Sequence, residues 1–326
     1  MKILVINPTI MAFGGIGRHC CNLKKLFENS DVNIELASKS NIAFKKILFS
    51  KVVFRKKSLK QAILNSECDI VHVHGFASII AWQSIKMALK LDKKVVYTPH
   101  FHPFSMLERP LIAKCFFMLL MRPLLHKLDA IICLNNEDSA FFSKYSDKVT
   151  TMPHWIIEET RRFRDRNIKS NMILFIGRND SNKSPDYLLE LPKKKYEIHC
   201  VINSSVGLRE DFIFHQNISD DELMELYSQA ALLVVPSRYE AFSYVVLEAL
   251  IYSVPVLVSD NVRIVDHLQN ISGITTFHYG DKKEFVSLVD GAKEKVVNVK
   301  AVQSIFSAEK AKSKLLSIYQ TALRGN

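Results

Sequence analysis

Two acids eight residues apart, Glu240 and Glu248, stand out in the stretch Pro236-Ser237-Arg238-Tyr239-Glu240-Ala241-Phe242-Ser243-Tyr244-Val245-Val246-Leu247-Glu248. If both were helical they would stand roughly 12 Å apart, at about 1.5 Å per residue. That is too far to share one proton. It also exceeds the spacing of about 5–9.5 Å that a two-carboxylate glycosidase needs. It suits gripping two polar parts of one elongated ligand. The helix expected here, with an acid at its mouth, offers free backbone N–H groups and the positive end of its dipole to a phosphate. Upstream, Arg178 and Lys183 lie on Gly177-Arg178-Asn179-Asp180-Ser181-Asn182-Lys183-Ser184. A guanidinium and an ammonium on such a loop can clamp a diphosphate by charge-assisted hydrogen bonds.

The first half of the chain carries glycines and histidines instead. Gly15 and Gly17, in Phe13-Gly14-Gly15-Ile16-Gly17-Arg18-His19, would let the backbone approach a ligand at the start of a helix. Cys20 stands where a dinucleotide-binding loop needs its third glycine, which argues against nicotinamide despite Glu35 near the ribose-binding place. His72 and His74 share one strand face and could begin a metal site, but no third ligand is visible in sequence. They read as structural or acceptor-side groups. His100, in Thr98-Pro99-His100-Phe101-His102, leaves a strand where open α/β sheets bind ligands. It could donate a hydrogen bond or move a proton; His102 stays open as the alternative.

The elements that must position these groups alternate along the whole chain. Ile3 to Ile6, Asn33 to Ala37, Ile70 to His74, Val95 to Thr98 and Ala130 to Leu134 are short apolar runs of the kind buried in a parallel sheet. Helical stretches such as Ile79 to Leu91 separate them. After a charged segment, Glu158 to Lys169, a second series begins at Met172 to Ile176. It continues through Ile198 to Ile202, Phe212 to His215, Ala231 to Val235, Val256 to Ser259 and Ile274 to Phe277. The expectation is α/β, with a Rossmann-like domain over 1–160, a second over 161–305 and a terminal helix over 306–326.

At 326 residues and 48% hydrophobic, the chain is long enough for two cores. A net charge of +11 asks for an anionic partner. No zinc ribbon, homeodomain or RNA-binding signature appears, so phosphorylated substrates or an anionic membrane are expected and nucleic acid is not. The six cysteines show no CxxC spacing and read as reduced core thiols of a cytosolic protein. Met1 to Ile6 reads as a first strand and not a leader, and no run of about 18 apolar residues suggests a spanning helix.

These motifs together resemble the retaining, GT-B-fold glycosyltransferases of family 4. Glu240-Ala241-Phe242 through Glu248-Ala249 is similar to the family's E-x7-E. Gly177-Arg178 through Lys183-Ser184 is similar to its G-R-x4-K-G, with Ser184 for the last glycine. Residues 14–19 resemble its G-G-x-x-R/H loop, residues 69–74 its D-I-V-H-x-H, and Ile218 to Tyr227 with Ala230 the segment before the donor loop. The chain departs from the family at Pro153-His154-Trp155-Ile156-Ile157, at Asn203-Ser204-Ser205-Val206-Gly207 and at Arg263-Ile264-Val265-Asp266.

The resemblance implies two domains facing a cleft, with the last helix crossing back onto the first. It implies that Glu240 contacts the transferred sugar, with His100 beside it, and that Glu248 holds the nucleotide ribose. Arg178 and Lys183, with backbone N–H groups near Phe242, Ser243 and Tyr244, would take the diphosphate, while Gly15 and Gly17 face sugar and acceptor. The nucleotide sugar is then a substrate, and neither a cofactor nor a metal is expected. The acceptor would be a glycan or lipid-linked hydroxyl in lipopolysaccharide, capsule or exopolysaccharide synthesis. Two basic, apolar segments, Phe44 to Lys57 and Pro110 to Lys127, suit an anionic leaflet or a core helix with a solvated basic face. They lead to the expectation of a cytoplasmic, peripheral enzyme. A sugar-nucleotide epimerase of the same fold and a non-catalytic subunit are the rival readings.

Overall fold

The computed structural model describes residues 1–8, 15–46, 52–107, 109–156 and 168–325. The chain divides into two compact units, Met1–Ile157 with Ser307–Asn326, and Glu158–Phe306. The charged segment after Glu158 lies largely outside the described residues.

The first unit runs β1 (Lys2–Ile6), α1 (Gly15–Leu26), β2 (Asn33–Ala37), β3 (Phe44–Lys46), β4 (Val52–Phe54), α2 (Lys56–Asn65), β5 (Ile70–His74), α3 (Ile79–Lys90) and β6 (Lys94–Thr98). It continues with α4 (Pro110–Phe116), α5 (Arg122–Leu125), β7 (Ala130–Cys133), α6 (Asn136–Phe142) and β8 (Val149–Thr151). Its sheet has the order β2-β1-β5-β6-β7-β8, and every pairing is parallel. Helices cover both faces of such a sheet, so its inner strands are mostly apolar, and all five residues of β5, His72 and His74 included, are buried. The chain steps from β1 out to β2 and returns as β5 on the other side of β1. The carboxyl ends of β1 and β5 therefore flank a topological switch point, where open sheets form a crevice.

For the segment Phe44 to Lys57 the structure rules out a single core helix with a solvated basic face. Phe44–Lys46 and Val52–Phe54 form an antiparallel hairpin, and the helix starts only at Lys56. Phe44, Val52, Val53 and Phe54 are residues that favour a pleated surface, and Phe54 is buried in the core. Residues 47–51 lie outside the described residues. Of the segment Pro110 to Lys127, Pro110 to Leu125 is helical. Between α4 and α5, Phe117–Met121 forms a π turn just before Pro123. A proline cannot fit against the carbonyl four residues back in a regular helix, and the wider turn accommodates it.

The last helix, α11 (Ala308–Arg324), packs on one face of this sheet. Ala311, Leu315, Tyr319 and Ala322 form its buried stripe, among Ile3, Val5, Leu23 and Trp155. Their spacing of three or four residues is that of one helix face.

The second unit runs β9 (Lys169–Ile176), β10 (Glu197–Val201), β11 (Ile213–His215), α7 (Asp220–Gln229), β12 (Ala230–Val235), α8 (Tyr244–Ile251), β13 (Val256–Ser259), β14 (Ile274–Phe277), α9 (Lys282–Lys293) and α10 (Val299–Ile305). Its order is β11-β10-β9-β12-β13-β14, again all parallel. The switch point here lies between β9 and β12. Ser219 and Glu222 form a reciprocal capping box at the start of α7, which fixes the entry of the helix that leads into β12.

Candidate functional site

In the second unit, the chemistry gathers at the carboxyl ends of β9 and β12, the two strands of the switch point. The loop after β9 is built by Asp180. Its Oδ1 accepts from the backbone N–H of Asn182 and Lys183, and its carbonyl accepts from that of Ser184. Ser184 has φ +49 and ψ +52, the left-handed region that favours glycine. This explains why the pattern resembled in sequence has glycine there. Ser184 is held by its own hydroxyl, which bonds Ser181 O at 3.1 Å and Tyr279 Oη at 3.0 Å.

The loop after β12 is laced to the first one. Asn182 Nδ2 donates to Tyr239 O at 3.1 Å, and Arg238 N–H donates to Asn182 O at 2.7 Å. Lys183 Nζ and Glu240 Oε1 are 2.8 Å apart, both side chains largely buried. Ser237 Oγ donates to the same carboxylate oxygen at 2.6 Å. Arg178 is the outlier: its side chain is 69% exposed and pairs with Asp180 at 2.9 Å.

Glu240 is not helical, which corrects the picture of two acids on one helix. It bridges Val262 in parallel register, with its N–H on Asn261 O and its carbonyl taking the N–H of Arg263. The pairing next to β13 holds the chain extended, and α8 begins four residues later. Ser243 caps α8 without a side-chain hydrogen bond, and its buried Oγ has no partner. Tyr244 is the first helical residue, and Phe242 packs edge-on to Tyr244 and Phe306. Glu248, one turn in, accepts from Tyr227 Oη at 3.1 Å. The sequence does not single out Ser237, Asp180, Asn182 or Tyr227. A hydroxyl three residues before the acid was the one available signal.

In the first unit, Gly15 and Gly17 lie inside α1, where a loop was expected, and Phe13 and Gly14 fall outside the described residues. A Cβ at Gly15 would meet nothing within 4 Å, so the protein's own packing does not require glycine there. His19 of α1, His74 at the end of β5 and His100 after β6 converge into one buried group, with His72 and His154 packed around it. His72 is fully engaged: Nδ1 meets Tyr319 Oη at 2.9 Å and Nε2 meets Thr98 Oγ1 at 2.8 Å. His74 Nδ1 lies 3.1 Å from His100 Nε2. His100 itself has φ +49, a strained conformation for a side chain of its size. Burial, and then the neighbouring imidazoles, hold His74 and His100 well below the ordinary histidine pKa. Burial takes His19 and His72 down to about 3. All four are therefore neutral imidazoles at neutral pH, able to accept or donate one hydrogen bond per nitrogen but not to act as cations. His102 is half-buried, and its proximity helps to lower the His100 pKa.

Residues 13–159 match the family model described as Glycosyltransferase Family 4, and residues 156–292 match that described as Glycosyl transferases group 1. An uncharacterized 41.2 kDa protein in the cps region of Klebsiella pneumoniae is 25% identical over 327 residues, 89% of each chain. An uncharacterized glycosyltransferase of Methanocaldococcus jannaschii is 32% identical over 123 residues, 32% of each chain. Among solved structures, sucrose-phosphate synthase from Thermosynechococcus elongatus superposes with a TM-score of 0.75 at 14% identity, covering 100% of both chains. Anabaena HepE in complex with UDP and glucose gives 0.62 at 12% identity, covering 98% of this chain and 97% of its own. The lipopolysaccharide outer core galactosyltransferase WaaB gives 0.59 at 16% identity, covering 96% and 100%.

Proposed function

The chain belongs to the family 4, group 1 glycosyltransferases of GT-B fold, and we propose that it moves a sugar from a nucleoside-diphosphate donor to a hydroxyl of a lipid-linked glycan, with retention at the anomeric carbon. The observation that carries this reading is the Lys183–Glu240 pair at 2.8 Å on the two loops of the second switch point. A buried cation beside a buried acid, just ahead of a helix start with the unpartnered Ser243 Oγ, suits a phosphorylated sugar better than a structural tie.

In the proposed reaction the bond from the sugar's anomeric carbon to the β-phosphate oxygen breaks. A bond to the acceptor oxygen forms on the same face, and the acceptor proton passes to the departing phosphate. Lys183 turns from Glu240 to the diphosphate, and the exposed Arg178 closes on it. The N–H groups at the start of α8 add to the same charge. Fixed donors aimed at developing negative charge supply much of the rate enhancement in many such reactions. These cations take the part that a metal would play at the diphosphate, so transfer is proposed to be metal-independent. Glu240, released by Lys183, contacts the sugar. Glu248 holds the ribose, with Tyr227 fixing its carboxylate.

The nucleotide bound in HepE and the names of the Klebsiella and WaaB relatives support a nucleotide-sugar donor and a surface-glycan pathway. An acceptor at a membrane is supported by the helical run from Pro110. Leu111 and Leu119 are 77% and 74% exposed, and Arg109, Lys114, Arg122 and Lys127 are exposed among them. No described helix is long and apolar enough to cross a membrane. Such a face lies on an anionic leaflet, each cation adding about 1 kcal/mol, and we place the enzyme there, on the cytoplasmic side. The test is transfer from a matched donor with the product linkage read by NMR. Retention is expected, with Glu240→Gln binding the nucleoside diphosphate but transferring at least about 100-fold more slowly. Inversion, or unchanged transfer by Glu240→Gln, would overturn the reading.

A further inference from the structure

We propose that His19, His74 and His100 form a binding site for one divalent transition-metal ion of the zinc type, at the carboxyl end of the first sheet. One ring nitrogen from each lies within 4.8 Å of the others. The ring centroids form a near-regular triangle with sides of 5.2, 5.4 and 5.4 Å. Ligand nitrogens on a tetrahedral zinc ion, each about 2.0–2.1 Å from the metal, stand about 3.3–3.4 Å from one another. His74 Nδ1 and His100 Nε2 are already 3.1 Å apart. The His19 ring has a broad second torsion with which to turn toward the same point.

His74, the central member of the cluster, is fully buried, and its Nδ1 faces His100 Nε2, the atom with which it would share the ion.

The donor set selects the ion. Three imidazoles with no carboxylate oxygen disfavour magnesium and calcium, which demand oxygen. They suit zinc and its neighbours cobalt, nickel and copper. His72, whose nitrogens are both taken by Tyr319 and Thr98, packs against His74 at 4.2 Å between centroids and serves as support. The ion would tie α1, β5 and the segment after β6 together where the first sheet switches direction. This role is separate from the diphosphate chemistry of the second unit, and its test does not read turnover.

The test uses the full chain purified without a histidine tag, stripped by a chelator and titrated with Co2+ as a coloured stand-in for zinc. The expected result is the visible absorption of four-coordinate cobalt, saturating at one ion per chain and displaced by Zn2+. His19→Gln and His74→Ala are each expected to weaken Co2+ binding more than about tenfold, with circular dichroism spectra matching the parent, while His126→Ala and His278→Ala leave it unchanged. Should the buried variants misfold, zinc X-ray absorption on the parent decides, and must fit three imidazole nitrogens at about 2.0–2.1 Å. No stoichiometric cobalt spectrum, a spectrum indifferent to His19→Gln and His74→Ala, or a zinc shell lacking three imidazoles overturns the proposal.

Discussion

Lys183 and Glu240 hold each other at 2.8 Å, and in the proposed reaction each exchanges that partner for the donor. Lys183→Ala is therefore expected to lower kcat by about 100- to 1000-fold, as removal of a preorganised donor does. A loss under threefold in a donor-saturated assay would remove Lys183 from the diphosphate. Ser184→Gly relieves a left-handed backbone worth about 1–2 kcal/mol but deletes hydroxyl contacts worth about 0.5–1.5 kcal/mol each. The two nearly cancel, so chemical denaturation should show a change within about 1 kcal/mol, whereas Ser184→Val should destabilise clearly, keeping the strain without the hydrogen bonds. The acids and cations were legible because charged residues at fixed spacing survive as a pattern in one dimension. Ser237, Asn182 and Tyr227 were not. Each acts through one contact across the fold, as when Tyr227 meets Glu248 from another helix, and nothing in local sequence marks such a partner.

At the scale of elements, the buried parallel strands were plain in the sequence, because burial on both faces leaves runs such as Ile70 to His74 with few alternatives. The β3–β4 hairpin was not, since its cations suggested a helix and its pairing depends on register with a neighbour. The glycine-bearing start of α1 reads as a loop because its glycines suit close approach to a ligand, yet Cys20 and Leu23 packing into the core carry the helix back to Gly15. Two outcomes belong at this scale. Leu111→Glu with Leu119→Glu should abolish sedimentation with anionic vesicles while moving stability by less than about 0.5 kcal/mol, as exposed substitutions do. Undiminished vesicle binding would remove this face from the membrane. Tyr319→Phe strips His72 Nδ1 of its partner in a buried site. It should cost about 1–3 kcal/mol in chemical denaturation, and no loss would mean that α11 is held by its apolar stripe alone.

For the whole molecule, the buried histidines make acid the solvent condition to which the fold is most exposed. An unfolded histidine titrates near 6.5, while His19 and His72 are held near 3 and His74 and His100 well below the ordinary value. As pH falls below about 6.5, the unfolded chain binds protons that the folded chain refuses. Stability from these groups is thus complete above that pH and drains below it, by up to about 1.4 kcal/mol per pH unit for each histidine. Urea midpoints should be level from pH 8 to 7 and fall steeply from pH 6.5 to 5; a level profile throughout would contradict the burial of the cluster. The central claim, a nucleoside-diphosphate site built on Lys183, Glu240 and Glu248, is tested most directly by thermal stabilisation with a panel of nucleoside diphosphates and nucleotide sugars. One base is expected to stabilise the protein by about 2.7 kcal/mol at a hundredfold excess over its dissociation constant, and Lys183→Ala and Glu248→Ala should erase the shift. No shift with any nucleotide, or a shift that survives both substitutions, would contradict it.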